Sequence, residues 1–166
     1  MPQDVELFDG SVAMNIARFD PQATAAAVLE AAHAAGAHDL ILSFPDGYGT
    51  KIGEGGLALS AGQRQRIGLA RAFYGKPFLV VLDEPSSNLD AEGEEALTEA
   101  ILNVRRRGGI VVVVAHRPKA LEGVDHVLCL GEGRVQSFGK REEVLKKVLR
   151  NPVPLKVVAE AQGGNR

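Results

Sequence analysis

Two adjacent acids, Asp83 and Glu84, close a continuous apolar run, Phe78-Leu-Val-Val-Leu82. Side-by-side carboxylates repel one another and favour a cation or a reaction between them. At the carboxyl end of a strand in an open α/β sheet they also stand where ligands bind. There Asp83 suits a cation and Glu84 suits polarising an attacking water. The same acids equally read as the cap of a turn at Glu84-Pro85-Ser86, and the string alone leaves both readings open. Leu59-Ser60-Ala61-Gly62-Gln63 opens a helix whose free N–H groups, with Gly62 permitting close approach, make a phosphate site. Ser60 and Gln63 also spell a capping box, which accounts for both of them and says nothing about Gly62. His116 directly follows Ile110–Ala115, and parallel-strand geometry would bring it beside Glu84. His33, His38 and His126 read as surface or satisfied residues.

The elements needed to position these groups follow from the flanking residues. Asp20-Pro21 opens an Ala-rich helix through Ala35, with Gly36 at its end. Phe44 to Gly56 is a glycine-rich loop, and Ser60 starts a helix that runs to about Tyr74. Phe78–Leu82 and Ile110–Ala115 are expected as strands buried on both faces of a parallel sheet. Between them Asp90 caps a helix with acids near its start and Arg105-Arg106-Arg107 near its end. Val124–Leu130 is a third strand, Arg134–Phe138 a short edge strand, and Lys140–Arg150 an amphipathic helix. The expected divisions are 1–77 (a helical subdomain), 78–150 (an α/β core) and 151–166 (a flexible tail).

Taken in chain order, these segments resemble the ATP-binding cassette ATPase domain from its glutamine loop onward. Pro2-Gln3-Asp4 is similar to the glutamine loop, and Phe8–Ile16 to the stretch that follows it in exporters. Thr50–Gly56 is similar to the exporter X-loop. Leu59-Ser-Ala-Gly-Gln63-Arg-Gln-Arg66 resembles the signature helix, Phe78–Glu84 the Walker B strand with its catalytic glutamate, Ser87-Asn-Leu-Asp90 the D-loop, and His116 the switch histidine. The wording around Phe44–Tyr48 and Asp83–Gly93 is most similar to type I protein-secretion ATPases of the protease/lipase exporter branch. The resemblance implies an α/β P-loop NTPase fold with a mostly parallel sheet and a helical subdomain, present here incompletely. It also implies ATP and Mg²⁺ as cofactors and a head-to-tail dimer with a second nucleotide-binding domain. In that frame Glu84 is the base and His116 holds the γ-phosphate and Glu84. Asp83 and Gln3 attend the metal. Ser60, Ala61, Gly62 and Gln63 meet the ATP held by the partner's P-loop, and Asp90 communicates across the dimer.

The departures are specific. Ala61 stands at a signature position where glycine is usual. Lys51 and Gly55 depart from the common X-loop, which bears on the contact with a transmembrane domain. No Gly-x-x-x-x-Gly-Lys-Ser/Thr occurs within the 166 residues; Gly133 to Gly139-Lys140-Arg141 has five intervening residues and an arginine after the lysine. The expectation is therefore that the P-loop and the exporter's transmembrane half lie upstream of Gln3, and that this chain alone does not hydrolyse ATP.

Composition narrows the alternatives. A hydrophobic content of 45% with 24% charged residues is that of a globular domain. The net charge of −2 gives no electrostatic footprint for nucleic acid, so a relative acting on DNA or ribosomes is disfavoured. No run approaches the ~20 apolar residues of a membrane span, no signal peptide is visible, and the single Cys129 suits a reducing compartment. The expected location is peripheral, on the cytoplasmic face of the inner membrane, in an exporter of polypeptides. The competing expectation is a non-catalytic interaction module that presents its signature face to a complete ATPase.

Overall fold

A computed structural model describes residues 1–150, apart from the side chains of Glu54, Pro118, Leu149 and Arg150; the tail expected at 151–166 lies outside the described residues. The chain forms two compact units, Met1–Val124 and Asp125 onward.

The first unit is built on helices that bury one face each. α1 (Val12–Ile16) is capped by Ser11, and α2 spans Ala25–Ala34. The expected start at Asp20-Pro21 is corrected: Thr24 caps α2, its hydroxyl accepting from the Ala27 N–H. Asp20 is engaged elsewhere, accepting from the Gln22 N–H at 2.9 Å and the Tyr74 hydroxyl at 3.2 Å, so Asp20–Ala23 is a turn. Gly36 (φ +59°) closes α2 as expected, and a side chain there would meet Ala96. The short α3 (His38–Leu42) leads into the glycine-rich loop, which contains two 3₁₀ turns.

α4 (Ala61–Phe73) begins at Ser60 with both capping-box hydrogen bonds in place. Its buried stripe includes Gln65, Ile67, Leu69, Ala70 and Phe73. Each such apolar side chain removed from water contributes roughly 1.5–3 kcal/mol. Packing of α1 and α2 against α4 defines the helical part of the core.

β1 (Leu79–Asp83) pairs in parallel with β2 (Ile110–Val114), Asp83 opposite Val114. α5 (Ala91–Arg106) connects them and packs its Leu97, Ala100, Ile101 and Val104 into the core. Burial on both faces is not observed. Val80 and Leu82 are buried, whereas Leu79 and Val81 are 53% and 48% exposed, and Ile110, Val112 and Val114 are similarly open. Helices cover one face only of this parallel pair, so a uniformly apolar sequence alternates in and out with the period of the pleat. The other edge of β1 is bridged by Met1, whose ammonium donates to the Val81 carbonyl at 2.6 Å and whose carbonyl accepts from the Asp83 N–H at 2.9 Å. That bridge brings Gln3 to the end of β1.

In the second unit, β3 (His126–Gly131) and β4 (Arg134–Lys140) form an antiparallel pair with a register shift between Cys129 and Leu130. α6 (Arg141–Arg150) follows and buries Val144. Among the described residues, no helix is long and apolar enough to cross a membrane.

Candidate active site

The carboxyl ends of β1 and β2 converge on Glu84. The chain leaves β1 through this residue in the left-handed region, φ +43°, a conformation that costs a non-glycine residue of order 1–3 kcal/mol. Main-chain bonds hold it there. The Glu84 N–H donates to the Val114 carbonyl at 2.8 Å, and its carbonyl accepts from Gln65 Nε2 at 3.2 Å. The carboxylate is thereby presented between two side chains. Gln3 Nε2 donates to Oε2 at 3.0 Å, and His116 Nδ1 lies 3.0 Å from Oε1. A carboxylate only accepts, so the second bond places a proton on Nδ1 and leaves Nε2 as the free ring atom. The Glu84 side chain is 24% exposed and that of His116 is 54% exposed, open enough for a ligand to reach both. Asp83, one residue earlier, makes no side-chain ion pair among the described residues.

A second group lies at the start of α4. Ser60 Oγ accepts from the Gln63 N–H at 3.2 Å, and Gln63 Oε1 accepts from the Ser60 N–H at 2.8 Å. Ser60 and Ala61 are exposed. Gly62 has a reason in the fold: a Cβ there would stand 2.8 Å from the Asn88 carbonyl oxygen. Asp90 caps α5 through the Gly93 N–H at 2.9 Å and accepts from Arg66 Nη2 at 2.5 Å. The Gly93 N–H, and then Arg66, hold its carboxyl below the usual range. The structure therefore gathers Gln3, Glu84 and His116 with Asp83 adjacent, and separately sets Gly62 against Asn88 and ties Asp90 to Arg66 of α4.

The link between the groups is Gln65, which sequence reasoning passed over. It is 1% exposed. Its Nε2 donates to the Pro85 carbonyl at 2.6 Å as well as to that of Glu84, and its Oε1 accepts from the Asn88 N–H at 3.0 Å. The available signal was positional: Gln65 lies four residues before Leu69, on the buried stripe of an amphipathic helix, where a polar side chain needs partners.

Among the described residues, no group of three or more His, Cys, Asp or Glu side chains forms a metal cage. Asp83 offers one carboxylate without a side-chain ion pair among the described residues, which fits Mg²⁺, an ion that keeps most of its waters and takes one or two carboxylates together with substrate phosphates.

The site is thus a carboxylate held at the end of a strand in an α/β core, with the start of α4 facing solvent. The ABC transporter family model matches residues 1–87, more than half of the 166 residues, and the chain belongs to that family. It is 64% identical over 167 residues to the type I secretion system ATP-binding protein PrsD of Rhizobium meliloti (strain 1021), covering 98% of this chain and 29% of that protein. It is 41% identical to the putative multidrug export ATP-binding/permease protein YgaD of Bacillus subtilis (strain 168), covering 86% of this chain and 24% of YgaD. Among solved structures, a bacterial Atm1-family ABC exporter with ATP bound superposes with a TM-score of 0.78 at 33% identity, over 88% of this chain and 26% of the exporter. The chain thus has the α/β ABC ATPase fold and spans less than a third of the length of these relatives.

Proposed function

We propose that this chain is the C-terminal portion of an ABC nucleotide-binding domain that couples ATP hydrolysis to export of polypeptides, in the manner of type I secretion. The observation that carries the reading is the Glu84 carboxylate held between Gln3 and His116. Glu84 orients a water and accepts its proton, Gln3 fixes one carboxylate oxygen, and His116 fixes the other. The free Nε2 of His116 contacts a terminal phosphate by donating, which requires the ring to carry its second proton. Asp83 with Gln3 would hold Mg²⁺, whose charge offsets that developing on the phosphoryl oxygens. Ser60, Gly62 and the exposed first turn of α4 face the triphosphate held by a second domain in a head-to-tail dimer. Asp90, tied to Arg66, keeps the start of α5 in register with that turn. The location proposed is peripheral, at the cytoplasmic face of the inner membrane against a transmembrane domain.

Phosphoryl transfer rests on positioning and charge, and the 166 residues carry no P-loop motif. We therefore propose that the isolated polypeptide neither binds ATP tightly nor hydrolyses it. The signature face is tested by mixing the chain with an intact, hydrolysis-deficient ATPase domain of a type I secretion protein. ATP-dependent association, abolished by Ser60→Arg, is the expected result. Association indifferent to ATP and to Ser60→Arg contradicts the reading.

A further inference from the structure

Of the histidines that the Glu84 site leaves aside, two stand ring to ring. His33 and His38 stack with their centroids 4.0 Å apart and their planes inclined at 30°. His38, half-buried, meets the Tyr48 hydroxyl through Nδ1 at 2.9 Å. Burial, and then the charge of Asp39, raises the pKa of that hydroxyl, so Tyr48 stays a neutral phenol that orients the ring. When the Nδ1–H donates to the phenol oxygen, the lone pair of the ring lies on Nε2. His33 is exposed, and its ring makes no hydrogen bond or ion pair among the described residues.

The backbone between the two rings is fixed before any ligand arrives. α2 ends in a Schellman arrangement around Gly36, whose N–H donates to the His33 carbonyl at 3.0 Å, while the Ala37 N–H donates to the Ala32 carbonyl at 2.8 Å. Gly36, at φ +59°, reverses the chain, and buried Ala32, Ala35 and Ala37 seat the turn in the core. His33 therefore leaves the last turn of α2 and His38 opens α3 from one preorganised corner. The carbonyl end of α2 favours a cation at this corner, as does the carboxylate of Asp39 in the first turn of α3.

We propose that His33 and His38 together bind one divalent transition-metal ion of the kind that prefers imidazole, such as Ni²⁺ or Zn²⁺, with water completing its shell. Two nitrogens in adjacent positions on one ion, each about 2.1 Å from it, are about 3 Å apart. The inclined stack brings one pair of ring edges nearer than the centroid separation, and rotation of the unconstrained His33 ring closes the rest. Tyr48 plays the outer-shell part, holding Nδ1 of His38 and leaving Nε2 to the metal. Bound there, the ion clips the end of α2 to the start of α3. The proposal uses no property of Glu84 and stands whether or not that residue acts on a nucleotide.

The test is calorimetric titration of the full chain with Ni²⁺, joined to NMR of the histidine ring protons and to thermal melts. One ion per chain is expected, broadening the ring signals of His33 and His38 while those of His126 stay sharp. Tyr48→Phe, which keeps both imidazoles, is expected to weaken binding by about tenfold, and His33→Ala, which removes a ligand, to weaken it further. Ni²⁺ is expected to raise the melting temperature of the wild type but not that of His33→Ala, whose metal-free melt matches the wild type and so shows that it folds. Affinity unchanged by His33→Ala overturns the proposal. So does broadening confined to one ring of the pair, to His116 or to His126, or the absence of any Ni²⁺ binding.

Discussion

Gln65 Nε2 lies 3.2 Å from the carbonyl oxygen of Glu84, joining the middle of α4 to the residue whose carboxylate Gln3 and His116 hold. The bond is one of a set, since the same side chain also holds Pro85 and Asn88. Through it, the helix that presents Ser60 outward also sets the backbone from which Glu84 projects, at a φ the residue would not adopt unaided. A movement of α4 is therefore felt at Glu84.

Replacing Gln65 by leucine keeps the volume and removes the bonds. It leaves the buried Pro85 carbonyl unpaired, at about 1–3 kcal/mol, and takes the acceptor from the part-buried Asn88 N–H. The urea midpoint of Gln65→Leu is expected to fall accordingly. A change within about 0.5 kcal/mol, the range of an ordinary surface substitution, would contradict this role.

Gly62→Ala places a methyl 2.8 Å from the Asn88 oxygen. The loop after β1 must shift, at a cost of about 1–3 kcal/mol. Ala61→Ser, one residue earlier and exposed, is expected to be nearly neutral. Thermal melts of the two variants separate packing against Asn88 from any role toward phosphate.

Asp90 supplies a pH dependence whose sign follows from its depressed pKa. Its contribution is full above the unfolded carboxylate value of about 3.9. It is lost as pH falls from there through the lower folded value. Asp90→Asn keeps a capping side chain without the charge. The difference in melting temperature between wild type and Asp90→Asn is therefore expected to be constant from neutral pH down to the ordinary carboxylate range and to shrink below it. A difference that persists unchanged at pH values well under that range would be inconsistent with the charge-assisted bonds.

Leu79, Val81, Ile110, Val112 and Val114 form an open apolar face on β1 and β2. Faces of this kind drive association. Light scattering is expected to show concentration-dependent oligomers that Val81→Lys with Val112→Lys reduces. A monodisperse wild-type monomer that melts cooperatively would show the face to be tolerated in water.

Local signals were the legible ones. The Ser60–Gln63 box and the Asp90 cap each involve groups three residues apart, so their bonds could be read from the string. The β1 run was legible as a strand, but its burial was not, because alternation between Val80, Leu82 and Leu79, Val81 depends on which layers cover the sheet. The start of α2 was misplaced because Asp20 and Thr24 are both good caps, and the contact of Asp20 with Tyr74 is long-range. Gln65 was missed for a related reason: its partners lie about twenty residues away, and a glutamine between arginines looks solvated. Parallel-strand geometry places His116 beside Glu84, and the order of segments in the family adds Gln3, whose contact with Glu84 spans 81 residues.

The account turns on Glu84 as the group that directs water at a phosphate. The direct measurement is ATP hydrolysis by this chain assembled with a polypeptide that supplies the P-loop half of the domain from its 64%-identical relative. Mg²⁺-dependent turnover that Glu84→Gln lowers by about 10²-fold or more, with assembly unchanged, is the predicted result. An assembled complex that hydrolyses ATP equally well with Glu84→Gln, or that binds Mg²⁺ and ATP without hydrolysing them, would contradict it.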